Sequence, residues 1–209
     1  MKLLESVGDE PVFDSAMLLV GPVNPASLRV QLSRWVAAGK LIQIRRELYA
    51  PAPPYQKVKP HPFFVANRLV PASYVSCQSA LAYYGLIPEY AAATTSVTTA
   101  RPSQWDTSLG RFVFQHLKRE HFNAYRRVEV SARQSAFVAT PEKALLDLIY
   151  LQPHSATRAY AQGLRLQNLE RVNWPELQHL ADASGRPKLR RAAKALAELA
   201  ATAETFETL

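Results

Sequence analysis

The chain has little cysteine and little glycine. Its 209 residues include one cysteine, Cys77, and seven glycines that lie far apart. A single cysteine excludes an intrachain disulfide and agrees with a reducing compartment. We expect Cys77 to pack as a small buried residue among apolar neighbours. The separated glycines form no GxGxxG or Walker-type loop, so no phosphate-binding loop is predicted.

The sequence also lacks long apolar runs and metal-ligand spacings. No uninterrupted apolar stretch is long enough to span a bilayer, and the first residues lack the apolar core of a signal peptide. We therefore expect a cytoplasmic protein. The five histidines are scattered, and none belongs to an HxH, HExxH or Cys/His arrangement. With no GxSxG serine and no carboxylate cluster, we predict a non-enzyme without a metal or cofactor.

Positive charge is abundant and localised. The net charge is +8 and the pI is about 9.7, which favours an anionic partner such as nucleic acid or a membrane surface. Residues 24–59 contain seven basic residues against one acid, Glu47. Residues 1–23 contain one basic residue, Lys2, against four acids. The basic surface is therefore expected between Asn24 and Lys59.

The pattern of residues 1–54 predicts a winged helix, a DNA-binding module. Residues 13–20 indicate a first helix, Pro22 to Pro25 a turn, residues 26–39 a second helix and residues 40–49 a short β-ribbon, the wing. Asn24 is a good N-cap and Pro25 a good first helical residue. In helix-turn-helix proteins the second helix enters the major groove of DNA.

The second helix has one apolar side and one side suited to DNA. Leu28, Leu32, Trp35 and Val36 form a stripe that must face a core. The other side and the ribbon supply the predicted DNA-contacting residues, which are Ser27, Arg29, Val30, Gln31, Ser33, Arg34, Lys40, Arg45 and Arg46. Arg45 and Arg46 are expected near the wing tip. The alternative is a small helical module whose solvated basic face contacts protein.

The remaining sequence predicts an α+β fold overall. Residues 55–62 are rich in proline and are interpreted as a semi-rigid linker between two separately cored units. Residues 63–155 alternate between helical and strand patterns, which indicates a mixed α/β domain. Residues 156–209 return to helical patterns and are expected to form a helical extension of that domain.

Two strings in the second unit resemble a known family. YVSCQSALAYYGLI at residues 74–87 and VATPEKALLDL at residues 138–148 resemble the AbiEi-type antitoxins and related winged-helix transcriptional regulators. The resemblance implies a repressor that binds double-stranded DNA at its own operon. It also implies a C-terminal domain that counters a nucleotidyltransferase-like toxin. One position departs from the family pattern, because Glu47 stands where a glycine commonly closes the wing.

Four charged residues are candidates for contact with a protein partner: Lys143, Asp147, Arg190 and Arg191. Lys143 and Asp147 are four residues apart, so a surface ion pair on one helix is the alternative. For Arg190 and Arg191 the alternatives are a solvated helix face and contact with nucleic acid. The alternative for the whole chain is a regulator without a toxin partner, whose C-terminal domain senses a ligand or mediates protein contact.

Overall fold

The computed structural model describes residues 7, 10–19, 23–88 and 92–207, with residues 203–207 described by backbone alone. The fold is mixed α+β, as predicted. The strands are β1 Phe13–Asp14, β2 Leu41–Arg45, β3 Leu48–Pro51, β4 Ser73–Val75, β5 Thr94–Thr98, β6 Ser103–Thr107, β7 Gly110–His116, β8 Tyr125–Ser131 and β9 Gln134–Ala139. The α-helices are α1 Pro25–Ala37, α2 Pro62–Leu69, α3 Cys77–Tyr83, α4 Pro141–Leu151, α5 Arg158–Gly163, α6 Trp174–Ala183 and α7 Pro187–Glu207.

The segment before α1 differs from the predicted helix. Phe13–Asp14 forms β1, Ser15–Leu18 forms a 3-10 turn, and the predicted last residue, Val20, lies outside the described residues. The Phe13 ring stacks on Tyr49 with centroids 5.9 Å apart, and the two residues are partners in an antiparallel pair. This pairing with β3 outweighs the local helical pattern, because propensity is a weak determinant beside tertiary contacts.

Helix α1 begins and ends as its sequence predicts. The Asn24 side chain accepts hydrogen bonds from the backbone N–H groups of Ala26 and Ser27, and Pro25 is the first helical residue. Gly39 follows the helix with a φ of +67°, the left-handed conformation that favours glycine. The side chains of Leu28, Leu32 and Trp35 are buried. The predicted apolar stripe is therefore confirmed.

The three-stranded sheet, in the order β1-β3-β2, is covered on both faces. Phe13, Leu41 and Tyr49 pack with the buried stripe of α1 in one small core. Ile44 and Leu48 belong instead to the large core that continues through the rest of the chain. The first unit therefore has a core of its own, as expected, but the other face of its sheet is shared with the second unit.

The proline-rich connection at residues 55–62 is attached to the second unit. The fully buried Gln134 side chain accepts a hydrogen bond from the His61 N–H at 2.8 Å and donates one to the Lys59 carbonyl at 3.0 Å. Pro62 already belongs to α2. The end of the predicted linker is therefore fixed to β9 rather than acting as a spacer.

The second sheet brings the two family-like strings together. Its strand order is β6-β7-β5-β4-β9-β8, and β4 lies parallel to β9. Each of these two strands is followed at once by a helix, α3 after β4 and α4 after β9, and the two helices pack against each other. Helices α6 and α7 in turn pack on α4. In the part of the chain that the structure describes, no helix has the length and apolarity needed to cross a membrane.

Candidate nucleic-acid interface

The outer side of α1 is exposed to solvent. Ser27, Arg29, Val30, Ser33 and Arg34 are exposed and Gln31 is half-buried, so the arc lies where the sequence predicts it. The side chains of Arg29 and Arg34 make no hydrogen bond or ion pair with any described residue. Val30 is 52% exposed and adds an apolar group to this arc. These side chains are available to an external partner while the opposite side of the helix is fixed in a core.

The two arginines of the β2–β3 hairpin have different surroundings. The Arg46 side chain is 88% exposed and its nearest acidic group is Glu47 Oε1 at 3.9 Å. The half-buried Arg45 instead donates from Nη1 to the Arg46 carbonyl at 3.0 Å and from Nη2 to the Arg68 carbonyl at 3.5 Å. Arg45 therefore holds the hairpin turn against the end of α2, which differs from its predicted contact with DNA.

Lys40 also has an internal contact. Its side chain is half-buried, and Nζ lies 5.8 Å from the centroid of the Tyr55 ring, within the range of a cation–π interaction. Such an interaction at a partly exposed site contributes about 0.5–1 kcal/mol. Lys40 therefore orders the chain after β3, and its ammonium group is less available than that of an unrestrained surface lysine.

The hairpin closes through a non-glycine residue in the left-handed conformation. Glu47, the departure from the family pattern, has a φ of +67°, and its carbonyl accepts a hydrogen bond from the Ser15 N–H at 2.8 Å. A Cβ atom costs about 1–2 kcal/mol in this conformation because it approaches the following carbonyl oxygen, and glycine avoids the cost. The backbone therefore adopts at Glu47 the geometry that a glycine would favour.

Replacing Glu47 by glycine should stabilise the protein. We expect Glu47→Gly to raise the free energy of unfolding by about 1 kcal/mol, measured by urea denaturation, because the left-handed backbone is then unstrained. Glu47→Gln is the matched control, since it removes the charge and keeps the strain. The exposed contact with Arg46 contributes little, so the control should be nearly neutral. Equal effects of the two substitutions would assign the change to charge rather than to backbone conformation.

Lys143 and Asp147 lie in the interior and not on the surface. Their side chains are 5% and 1% exposed, and they form an ion pair on α4. The Asp147 carboxylate also accepts hydrogen bonds from the Ser76 hydroxyl at 2.7 Å and from the Tyr74 hydroxyl at 3.0 Å. Neither residue can contact a partner from this position. The predicted partner contact and the alternative of a surface ion pair are therefore both wrong.

This buried cluster joins the two family-like strings. Tyr74 and Ser76 come from the first string, and Lys143 and Asp147 come from the second. Burial raises the pKa of Asp147, while Lys143 and the two hydroxyl groups oppose the rise by stabilising the carboxylate. Burial also raises the pKa of the Cys77 thiol, which is 2% exposed, so Cys77 is not a reactive thiolate. The cluster is structural in its geometry.

The C-terminal basic residues are partly neutralised. Arg190 is exposed, but its Nε lies 3.2 Å from Asp182 Oδ1 and its Nη2 donates to the Asp182 carbonyl. Arg191 is exposed and makes no hydrogen bond or ion pair with a described residue. Of these two candidates, Arg191 is the one whose charge is available to a partner. Within the described ranges, no group of three or more His, Cys, Asp or Glu side chains is placed to hold a metal ion.

The chain matches no protein-family model and no curated protein. Among solved structures it is similar to the crystal structure of the RV2827C protein from Mycobacterium tuberculosis, with a TM-score of 0.48 and 16% sequence identity. The match covers 93% of this chain and 79% of that chain. A similarity of this degree carries no argument about function, so the function is argued from the site itself.

Proposed function

We propose that the chain binds double-stranded DNA and represses transcription of its own operon. The observation that carries the proposal is the outer side of α1, where Arg29 and Arg34 are exposed and unpaired among the described residues. The opposite side of the same helix is anchored by Leu28, Leu32 and Trp35. A helix that is rigidly held on one side and offers hydrogen-bonding side chains on the other is suited to the major groove.

The order of elements supports a winged-helix interpretation. The 3-10 turn Ser15–Leu18 stands in the position of the first helix, α1 in that of the recognition helix, and β2–β3 in that of the wing. Strand β1 pairs with β3, which closes the small sheet behind α1. In this interpretation Arg46, at the hairpin turn, lies on the same unit as the exposed side of α1 and contacts the phosphate backbone.

The exposed residues of α1 divide into two roles by their chemistry. Gln31, Ser33 and Arg34 carry the hydrogen-bonding groups that recognise base edges, and arginine pairs best with guanine. Val30 offers an apolar surface of the kind that contacts the methyl group of thymine, which accounts for its exposure. Ser27, near the helix N-terminus, and Arg29 are suited to phosphate oxygens. Specificity is therefore assigned to the middle of α1.

Two arginine substitutions should separate sequence recognition from general affinity. Arg34→Ala should weaken binding to the chain's own promoter by about 1–3 kcal/mol and leave binding to a scrambled duplex nearly unchanged. Arg46→Ala should weaken binding to both duplexes and lower the salt dependence by about one phosphate contact. Fluorescence anisotropy at several salt concentrations measures both effects.

The matched control for these variants is Arg191→Ala, because Arg191 is equally exposed but belongs to α7. It should leave promoter binding unchanged. The assignment of roles fails if Arg34→Ala and Arg46→Ala lose the same affinity for both duplexes. Absence of promoter binding by the full wild-type chain at low salt would refute the DNA-binding proposal itself.

We propose further that the repressor is the antitoxin of a toxin–antitoxin pair, on the strength of its AbiEi-like strings. Because Lys143 and Asp147 are buried, the toxin contact has to use exposed residues of the second unit, among which Arg191 is a candidate. Co-expression of the full chain with a nucleotidyltransferase-like protein encoded beside it should restore viable counts. No restoration would favour the alternative of a regulator without a toxin partner.

A further inference from the structure

A small cavity of about 50 Å³ lies between α4, the 3-10 turn Arg119–His121 and the adjoining ends of α6 and α7. Lys143, Asp147 and Tyr150 of α4 line one side, and Glu120 and His121 line another. The start of α7 and the end of α6 complete the wall. Glu120 is 61% exposed and marks the rim, where its Oε1 lies 3.5 Å from Nη2 of Arg186. The cavity therefore connects solvent to the buried ion pair on α4.

Some polar groups that line the cavity have hydrogen-bond partners and others do not. Both oxygens of Asp147 already accept hydrogen bonds, from Lys143 on one side and from Ser76 and Tyr74 on the other. Among the described residues only Asp147 accepts a hydrogen bond from the ammonium group of Lys143, whose Nζ also lies 5.9 Å from the centroid of the Tyr74 ring. Nε2 of His121 is buried and has no hydrogen-bond partner, although Glu120 Oε1 lies 3.3 Å away.

Glu120 does not satisfy Nε2 of His121, because their contact lacks hydrogen-bond geometry. The imidazole is otherwise held by packing, with the Tyr150 ring at 5.0 Å between centroids. Buried polar groups are nearly always hydrogen-bonded, to protein or to ordered water. The groups of this cavity that have no protein acceptor are donors, or become donors on protonation, so the cavity is suited to a hydrogen-bond acceptor.

We propose that the cavity binds a small oxyanion, a carboxylate or a phosphate group, between Lys143 Nζ and His121 Nε2. A volume of about 50 Å³ has room for a few water-sized groups, which is enough for the anionic group. Charge-assisted hydrogen bonds from an ammonium and an imidazolium are the strongest that such an oxyanion can accept in a protein interior. This site is separate from the exposed side of α1 and does not depend on the proposed DNA binding.

Anion binding should be coupled to proton uptake by His121. The groups that face its ring are Glu120, Lys143, Asp147, Tyr150 and Arg186. Burial lowers the pKa of His121, and the cations of Lys143 and Arg186 lower it further, against Glu120 and Asp147. The imidazole is therefore neutral near pH 7 in the absence of an anion. A bound oxyanion favours the imidazolium form, so affinity should rise as the pH is lowered toward about 6.

Histidine side-chain NMR on the full chain tests the proposal. Sodium phosphate and sodium acetate are titrated at constant ionic strength, with sodium chloride as the reference. A saturable shift of the His121 ring resonances with phosphate or acetate, larger at about pH 6 than at about pH 8, is the expected result. Tighter binding of phosphate would indicate that the site takes a phosphate group, and tighter binding of acetate would indicate a carboxylate. The exposed rings of His116 and His179 should not shift in the same saturable manner.

A matched pair of variants tests the role of the imidazole. His121→Gln should weaken anion binding at least about tenfold and abolish its pH dependence, because a charge-assisted hydrogen bond is lost. His179→Gln, on the exposed side of α6, should leave binding unchanged. If no saturable His121 shift occurs with either anion, or if chloride produces the same shift, the cavity holds water only and the proposal is wrong. The wild-type titration decides this even if His121→Gln fails to fold.

Discussion

Asp147→Asn should lower the free energy of unfolding by about 3–5 kcal/mol, because it leaves the Lys143 ammonium buried without a counter-ion. Asp147 is 1% exposed and is the acceptor for Lys143, Ser76 and Tyr74 at once. Asparagine keeps the size of the side chain but carries no charge. Urea denaturation monitored by circular dichroism measures the loss.

The matched control is Asp182→Asn, which removes a carboxylate from an exposed ion pair with Arg190. Exposed ion pairs contribute about 0–1 kcal/mol, so the free energy of unfolding of this control should be close to that of the wild type. The double substitution Lys143→Met with Asp147→Leu should recover much of the lost stability, since apolar residues often replace a buried ion pair without cost. If Asp147→Asn left the free energy of unfolding nearly unchanged, the buried position of the ion pair would be contradicted.

A fragment that ends at Pro54 should fail to fold. Ile44, Leu48 and Ala50 pack in the core that the small sheet shares with the second unit, at 5%, 1% and 0% exposure. The cut exposes all three, and burial of each large apolar side chain contributes about 1.5–3 kcal/mol. A module of this size has only a few kcal/mol of stability to lose. The expected result is a poorly dispersed amide NMR spectrum and no cooperative thermal transition.

A variant of the fragment with Ile44→Thr and Leu48→Thr tests why the fragment fails to fold. It distinguishes the newly exposed apolar side chains from the loss of the rest of the chain as the cause. Threonine is β-branched, which favours strands, and it removes most of the exposed apolar surface. Better behaviour of this variant than of the unmodified fragment would identify the uncovered face as the cause. Cooperative unfolding of the unmodified fragment would instead show that residues 1–54 are independently stable, as the sequence pattern alone suggests.

Local sequence rules predicted the start of α1. Asn24 was expected as its N-cap, and the Asn24 side chain accepts hydrogen bonds from backbone N–H groups of the first turn, as Thr140 and Asn173 do for α4 and α6. These rules succeed because the interacting atoms lie within three residues of one another. The predicted exposure of the DNA-contacting arc on α1 succeeded for a similar reason, since helical period alone separates it from the buried stripe.

Features that depend on distant residues were not predictable in this way. The spacing of Lys143 and Asp147 is the same for a surface pair and for a buried one, and their partner Tyr74 lies 73 residues from Asp147. One signal was present, because α4 has apolar residues on all sides and therefore has to be buried. The short strand β4 depends likewise on distant partners, since it pairs with β5 and with β9.

The shared sheet has a consequence for redirecting such a protein to a new target. The exposed side chains of Arg29 and Arg34 make no hydrogen bond or ion pair with a described residue, so they can be exchanged one by one at little cost in stability. Transplanting the whole N-terminal unit from another protein is different, because the incoming sheet must also match the surface now covered by Ile44 and Leu48. Engineering should therefore redesign the helix in place, and under the DNA binding proposed above a change of operator preference can proceed by the same small steps.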